Sequence, residues 1–176
     1  MTAKGKLKQR YEKAFADGKE ANLDLRETLI TLVVLRCLQL AMCLAAGCLV
    51  LGLVERSAIA LNFTSAALTV IKLVFMLLAP DRFFQRGRLI AIFDIVTGAL
   101  LISAGVDLVN VVRGLPPSAE ADKMRASYIL SFAAAACFIP TGLILRNASK
   151  ALHRVKKAKK AAAQAASAAG RPVVVA

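Results

Sequence analysis

Four stretches of nearly unbroken apolar chain, residues 29–54, 58–79, 89–112 and 126–145, decide what this sequence can fold into. A helix needs about 20 apolar residues to cross the hydrocarbon core of a bilayer, and each stretch reaches that length. Backbone polar groups surrounded by lipid must be bonded within their own segment, so the pattern predicts four transmembrane helices. The links between them are short. Glu55-Arg56-Ser57 permits only an antiparallel hairpin. Residues 80–88 hold a turn signal and three arginines, and residues 113–125 carry Gly114 and Pro116-Pro117 without room for a domain. The expected fold class is all-α: a four-helix transmembrane bundle, residues 29–145. A basic N-terminal tail, residues 1–28, precedes it, and a basic Ala/Lys-rich tail, residues 146–176, follows and starts as helix.

Composition agrees with segregation of apolar and charged residues. The chain is 58% hydrophobic with a mean hydropathy of +0.62, yet carries a formal charge of +13. A soluble domain of 176 residues has no core large enough for that much apolar chain. The basic excess flanks the spans, which points to anionic lipid headgroups and away from nucleic acid. The first 28 residues mix seven Lys/Arg with five Asp/Glu and lack an apolar core, so they do not read as a cleavable signal or a transit peptide. Cys37, Cys43, Cys48 and Cys137 all fall inside the spans and read as buried small packing residues.

Orientation follows from the bias of Lys and Arg between the two sets of flanks. The tails and the 80–88 link together hold eighteen, against four in the other two links. Both termini and the 80–88 link are therefore expected on the cytosolic side of a plasma membrane or endomembrane vesicle, with an organelle membrane as the alternative. In the N-terminal tail Leu7, Tyr11 and Phe15 recur at helical spacing among lysines. This fits either an amphipathic helix lying on the membrane and ending near Gly18, or a solvated tail. In the C-terminal tail Lys150, Arg154, Lys156, Lys157, Lys159 and Lys160 are candidates for headgroup contact. That helix is expected to stop by Gly170-Arg171-Pro172, and the terminal Pro-Val-Val-Val-Ala reads as a frayed end or as a segment for docking in a peptide groove.

Ionisable groups inside spans are costly and mark the place to look for function. Arg36, Lys72 and Asp94 lie at similar depths, roughly 8 to 12 Å from the cytosolic ends of their helices by a rise of 1.5 Å per residue. Helical spacing puts Arg36, Gln39, Cys43 and Gly47 on one stripe, and Asn62, Ser65, Thr69 and Lys72 on another. Asp94, Thr97, Gly98 and Gly105 form a third. Such polar-and-small faces are what packed membrane helices present to one another. Pairing of Arg36 with Asp94 as a structural ion pair is one reading of the three charges. Snorkelling of Arg36 and Lys72 to the interface is a second, and a transport or proton-relay role is a third. Pro140-Thr141-Gly142 is a possible kink in the fourth span.

Chemistry-bearing motifs are otherwise missing from the sequence. There is no phosphate-cradling glycine loop and no His/Cys cluster for a metal, and the single histidine, His153, stands in the basic tail. The expectation is a non-enzyme without cofactor or metal. The triplets at Asn62 and Asn147 lie in a span and on the expected cytosolic side, so neither is expected to be glycosylated.

Two stretches resemble a known family. Leu35-Arg36-Cys37-Leu38-Gln39-Leu40 leads to Gly52-Leu53 in the first span, and Ile92-Phe93-Asp94-Ile95-Val96 leads to Leu100-Leu101-Ile102-Ser103-Ala104 in the third. With the four-span layout, these are similar to the MARVEL family and the related Casparian-strip membrane proteins of plants. Those proteins pattern an arginine and an aspartate at these two helices, which Arg36 and Asp94 match. The likeness extends over residues 29–145. The extracellular loops characteristic of the plant proteins are minimal here and hold no cysteine pair. What the resemblance implies is a non-enzymatic tetraspan that associates laterally with copies of itself or other membrane proteins and organises a membrane domain, vesicle or junction. Two other classes suit the same features: an accessory subunit of a large membrane complex, and a small channel or transporter built on Arg36, Lys72 and Asp94.

Overall fold

The computed structural model describes residues 3–21, 23–53 and 56–168, and every element among them is a helix. The elements are α1 (Ala3–Glu20), α2 (Leu25–Leu49), α3 (Arg56–Leu78), α4 (Pro80–Gln85), α5 (Gly87–Arg113) and α6 (Ala119–Ala168). Helices α2, α3, α5 and α6 are long and apolar enough to cross a membrane, as a multi-pass membrane protein requires. They form a ring in which α2 packs between α3 and α6, and α5 packs between α3 and α6.

The polar side chains of the spans gather inside the bundle, between apolar clusters around Leu32 and Met76, Cys43 and Leu101, and Val50 and Leu108, while the outside is apolar. Ile30, Val34 and Leu38 on α2, Ile71 and Leu78 on α3, and Ile92, Ile95 and Ile102 on α5 all point outward. Arg36, Gln39, Asn62, Ser65, Thr69, Lys72, Asp94 and Thr97 are buried. A lipid solvent accounts for this arrangement, because apolar side chains lose nothing by facing it and polar ones must find partners within the protein.

Helix boundaries shift where local chemistry dictates. Helix α2 starts at Leu25, ahead of the apolar run, because the Asp24 side chain accepts from the backbone of Arg26 and Glu27. It stops at Leu49, and Gly52 at φ 84° turns the chain, so the run to residue 54 is not one helix. Residues 80–88, read as a turn, contain α4. Pro80 sits in its first turn, where a missing N–H costs nothing, and Phe83 and Phe84 are buried beneath it. Helix α6 starts at Ala119 instead of Ala126, runs through Pro140 without a break and continues far beyond Leu145. Its 50 residues make a rod of about 75 Å, more than twice the hydrocarbon thickness. The expected stop at Gly170-Arg171-Pro172 and the terminal valines lie outside the described residues.

Helix α1 is docked on the end of the bundle. It runs to Glu20, past Gly18, where an added Cβ would stand 2.7 Å from the Leu25 side chain. Tyr11 and Phe15 pack on a cluster that includes Leu25, Met76, Phe83, Phe84 and Leu152, so these residues face protein where a membrane surface was one expectation. Arg10 donates to the Leu78 carbonyl at 3.1 Å and Tyr11 to the Leu77 carbonyl at 2.8 Å. These carbonyls end α3 and have no partner within it, so α1 serves as the C-cap of α3. On the far side Lys159 bridges to Glu20 at 2.7 Å and to Asp17 at 3.5 Å, which pins α1 to the extension of α6.

Candidate functional site

The most unusual chemistry of the fold is a closed polar cluster to which all four long helices contribute. Asp94 of α5 is its centre. Its Oδ2 accepts from Arg36 Nη2 of α2 at 2.5 Å, and its Oδ1 accepts from Lys72 Nζ of α3 at 3.0 Å. Lys72 Nζ also donates to Thr97 Oγ1 at 2.8 Å and to the Phe93 carbonyl at 3.3 Å, so all three ammonium protons have acceptors. Arg36 Nη1 donates to Gln39 Oε1 at 3.0 Å, and Gln39 reaches Thr141 of α6 at 3.5 Å. Arg36 and Asp94 are 1% exposed or less, and Lys72 8%.

One carboxylate serves two cations, so the cluster carries an uncompensated positive charge. Phe138 of α6 meets that charge: its ring lies 5.4 Å from the Arg36 guanidinium carbon and 5.1 Å from Lys72 Nζ. An aromatic face attracts cations, and more strongly where water is excluded. Arg36 Nε is the exception in this network, buried with no hydrogen-bond partner.

Further along the bundle the polar stripes find simpler partners. Ser131 Oγ donates to Asn62 Oδ1 at 3.1 Å, and Ser127 Oγ to the Ala46 carbonyl at 2.8 Å. Thr69 bonds the Ser65 carbonyl of its own helix and stays outside the charge cluster.

The candidate glycines separate into two kinds. An added Cβ at Gly47 would meet the Phe63 ring at 3.1 Å, and at Gly105 the Phe132 ring at 2.8 Å. At Gly98 the nearest atom is 3.8 Å away, an ordinary contact, so no close approach depends on that glycine. Among the glycines, the closest approach to another helix's backbone is at Gly87, which the stripes do not reveal. A Cβ there would stand 2.9 Å from the Leu145 carbonyl of α6 and 2.7 Å from Ser149 Cβ.

The tail cations Lys150, Arg154, Lys156, Lys157, Lys159 and Lys160 are exposed. Lys159 is engaged by α1, and its partnership with Glu20 raises its pKa. By helical rise, Lys150 stands about 8 Å and Lys160 about 22 Å along the helix from Leu145. Headgroup attraction decays within about 10 Å, so of these six Lys150 lies best placed for it.

Chemically, the cluster is a clamp. Both oxygens of Asp94 are occupied, and among the described residues no three His, Cys, Asp or Glu side chains converge as a metal site would need. Thr97, Thr141, Ser127, Ser131 and Phe138 complete the interior, and of these only Thr97 belonged to a sequence stripe. A serine or threonine on a span can bond the carbonyl of its preceding turn, so it carries no signal of need, and a phenylalanine among apolar residues carries none either. Comparisons of the chain with protein-family models, with curated proteins and with solved structures give no match.

Proposed function

We propose that this chain is a non-enzymatic tetraspan that organises a membrane domain, vesicle or junction by lateral association, in the manner that its MARVEL-like first and third spans imply. The observation that carries the reading is the clamp at Asp94. It draws at least one group from each long helix and leaves its charges engaged with one another. The interior is thus devoted to holding four helices together, and the surface left for partners is the apolar exterior and the cationic end.

Orientation is part of the proposal. Helix α1, α4 and the extension of α6 share one end of the bundle. Eighteen Lys and Arg lie in the tails and the 80–88 link, against four in the other links. By the positive-inside rule this end faces the cytosol. Lys150 then lies beside an anionic leaflet and contributes about 1 kcal/mol to its attachment.

A second reading, an accessory subunit of a large membrane complex, is favoured by the way α1 folds down onto α3, α4 and α6 and by the short connections. Crosslinking at native expression followed by blue-native electrophoresis separates the two. A ladder of masses supports lateral association, and a single stoichiometric high-mass band supports the subunit. Monomers alone, without protein or lipid partners, would overturn the proposal.

A further inference from the structure

Between α5 and α6 runs an open groove of about 650 Å³ on the outer surface of the bundle. Ala91, Ile95 and Ala99 line it on one side, and Ala136, Ile139 and Gly142 on the other. Its floor has spare room: an added Cβ at Gly142 meets nothing within 4 Å, and one at Gly98 meets nothing closer than 3.8 Å. From Ala91 to Ile102 the groove extends about 16 Å along α5, and from Arg146 to Phe132 about 21 Å along α6. One leaflet of a 30 Å hydrocarbon core is about 15 Å deep, so the groove spans one leaflet and ends near the midplane.

Its outer end is cationic. Arg146 lines the groove, and Arg88 stands on the same helical face as Ala91, Ile95 and Ala99. The close approach of Gly87 to Leu145 and Ser149 brings these two arginines to one level. Both are exposed, and among the described residues neither side chain takes part in a hydrogen bond or ion pair. The acid along the groove, Asp94, is already held by Arg36 and Lys72.

We propose that this groove binds one anionic glycerophospholipid, with its phosphate held between Arg88 and Arg146 and one acyl chain laid between α5 and α6. Guanidinium groups recognise phosphate through paired charge-assisted hydrogen bonds, and the apolar walls suit a hydrocarbon chain. A second copy of the protein fits less well. A twofold contact across the groove would set Arg88 and Arg146 against their own equivalents, a like-charge juxtaposition. The inference rests on the chain spanning a membrane and not on lateral association.

The test is native mass spectrometry of the full chain in detergent, titrated with phosphatidylserine or with phosphatidylcholine of identical acyl chains. The wild type is expected to retain one phosphatidylserine with about tenfold preference over phosphatidylcholine. Arg88→Gln with Arg146→Gln is expected to abolish that preference. Gly142→Leu fills open space, so it leaves the fold intact and lowers retention of both lipids. A tail variant, Lys156→Gln with Lys157→Gln and Lys160→Gln, is expected to bind as the wild type does. Loss of preference in the tail variant alone would overturn the site, as would unchanged retention in Gly142→Leu. Dimer masses that replace the lipid-bound monomer and vanish in Gly142→Leu would identify a second copy as the occupant and equally overturn it.

Discussion

Lys72 on α3 occupies the carboxylate oxygen of Asp94 that Arg36 on α2 leaves free, at 3.0 Å. Sharing makes the three charges unequal. Removing Lys72 leaves a neutral Arg36–Asp94 pair, whereas removing Asp94 leaves two cations buried together with no anion.

Asp94→Asn is therefore expected to be the most damaging single change in the cluster, at about 3–5 kcal/mol, the usual cost of stranding a buried charge. Lys72→Met is expected to cost less than about 1.5 kcal/mol, because the remaining pair is balanced. Denaturation in detergent micelles measures both, and equal losses would refute the shared-carboxylate account.

The same geometry limits a charge exchange. Arg36→Asp with Asp94→Arg restores the pair, but the new guanidinium at position 94 faces Lys72. Accumulation in the membrane is expected to recover only in part, and to recover further when Lys72→Met is added. Full rescue by the double exchange alone would show that Lys72 does not reach position 94.

Phe138 is expected to couple energetically to Lys72. Phe138→Leu removes the ring from both cations, and part of its cost should disappear in a Lys72→Met background. A double-mutant cycle is expected to show a coupling of about 0.5–1 kcal/mol. Strict additivity would reduce Phe138 to a packing residue.

The glycines should rank by what their Cβ would meet. Gly87→Ala pushes against the Leu145 backbone and is expected to cost about 1–3 kcal/mol, as overpacking does. Gly98→Ala has room and a better helix propensity, so it is expected to be neutral or to stabilise by up to about 1 kcal/mol. Thermal unfolding of the two variants checks the order.

The docking of α1 should weaken in alkali. Burial raises the Tyr11 phenol above its ordinary value of 10.0, and the bond to Glu20 raises Lys159 above 10.5. In both cases the docked state holds its proton more tightly than the free one. The favourable contribution is therefore complete below the ordinary values and is lost as pH rises through the raised ones. Cleavage within α1 by an alkali-tolerant protease is expected to accelerate above about pH 10.5. Tyr11→Phe should lose part of that dependence, and a flat profile would mean that neither group secures α1.

What the sequence alone determines in this protein depends on whether the signal is one-dimensional. Four spans follow from the sequence, because an apolar run of membrane length has few other fates and its backbone must close on itself as helix. Arg36, Lys72 and Asp94 stand out for the same reason: a charge among apolar residues is costly wherever the helix points. Partnership is different, because it depends on which helices are neighbours and on how each is rotated about its axis. Only the tertiary structure places Lys72 on the second oxygen of Asp94, Phe138 beneath both cations, Ser131 against Asn62 and Gly87 against Leu145. It also turns Tyr11 and Phe15 toward the bundle, where an amphipathic stripe alone does not distinguish a lipid surface from a protein one. Lipid and protein interior are equally apolar, so the sequence records which residues must be buried and the packing alone decides against what.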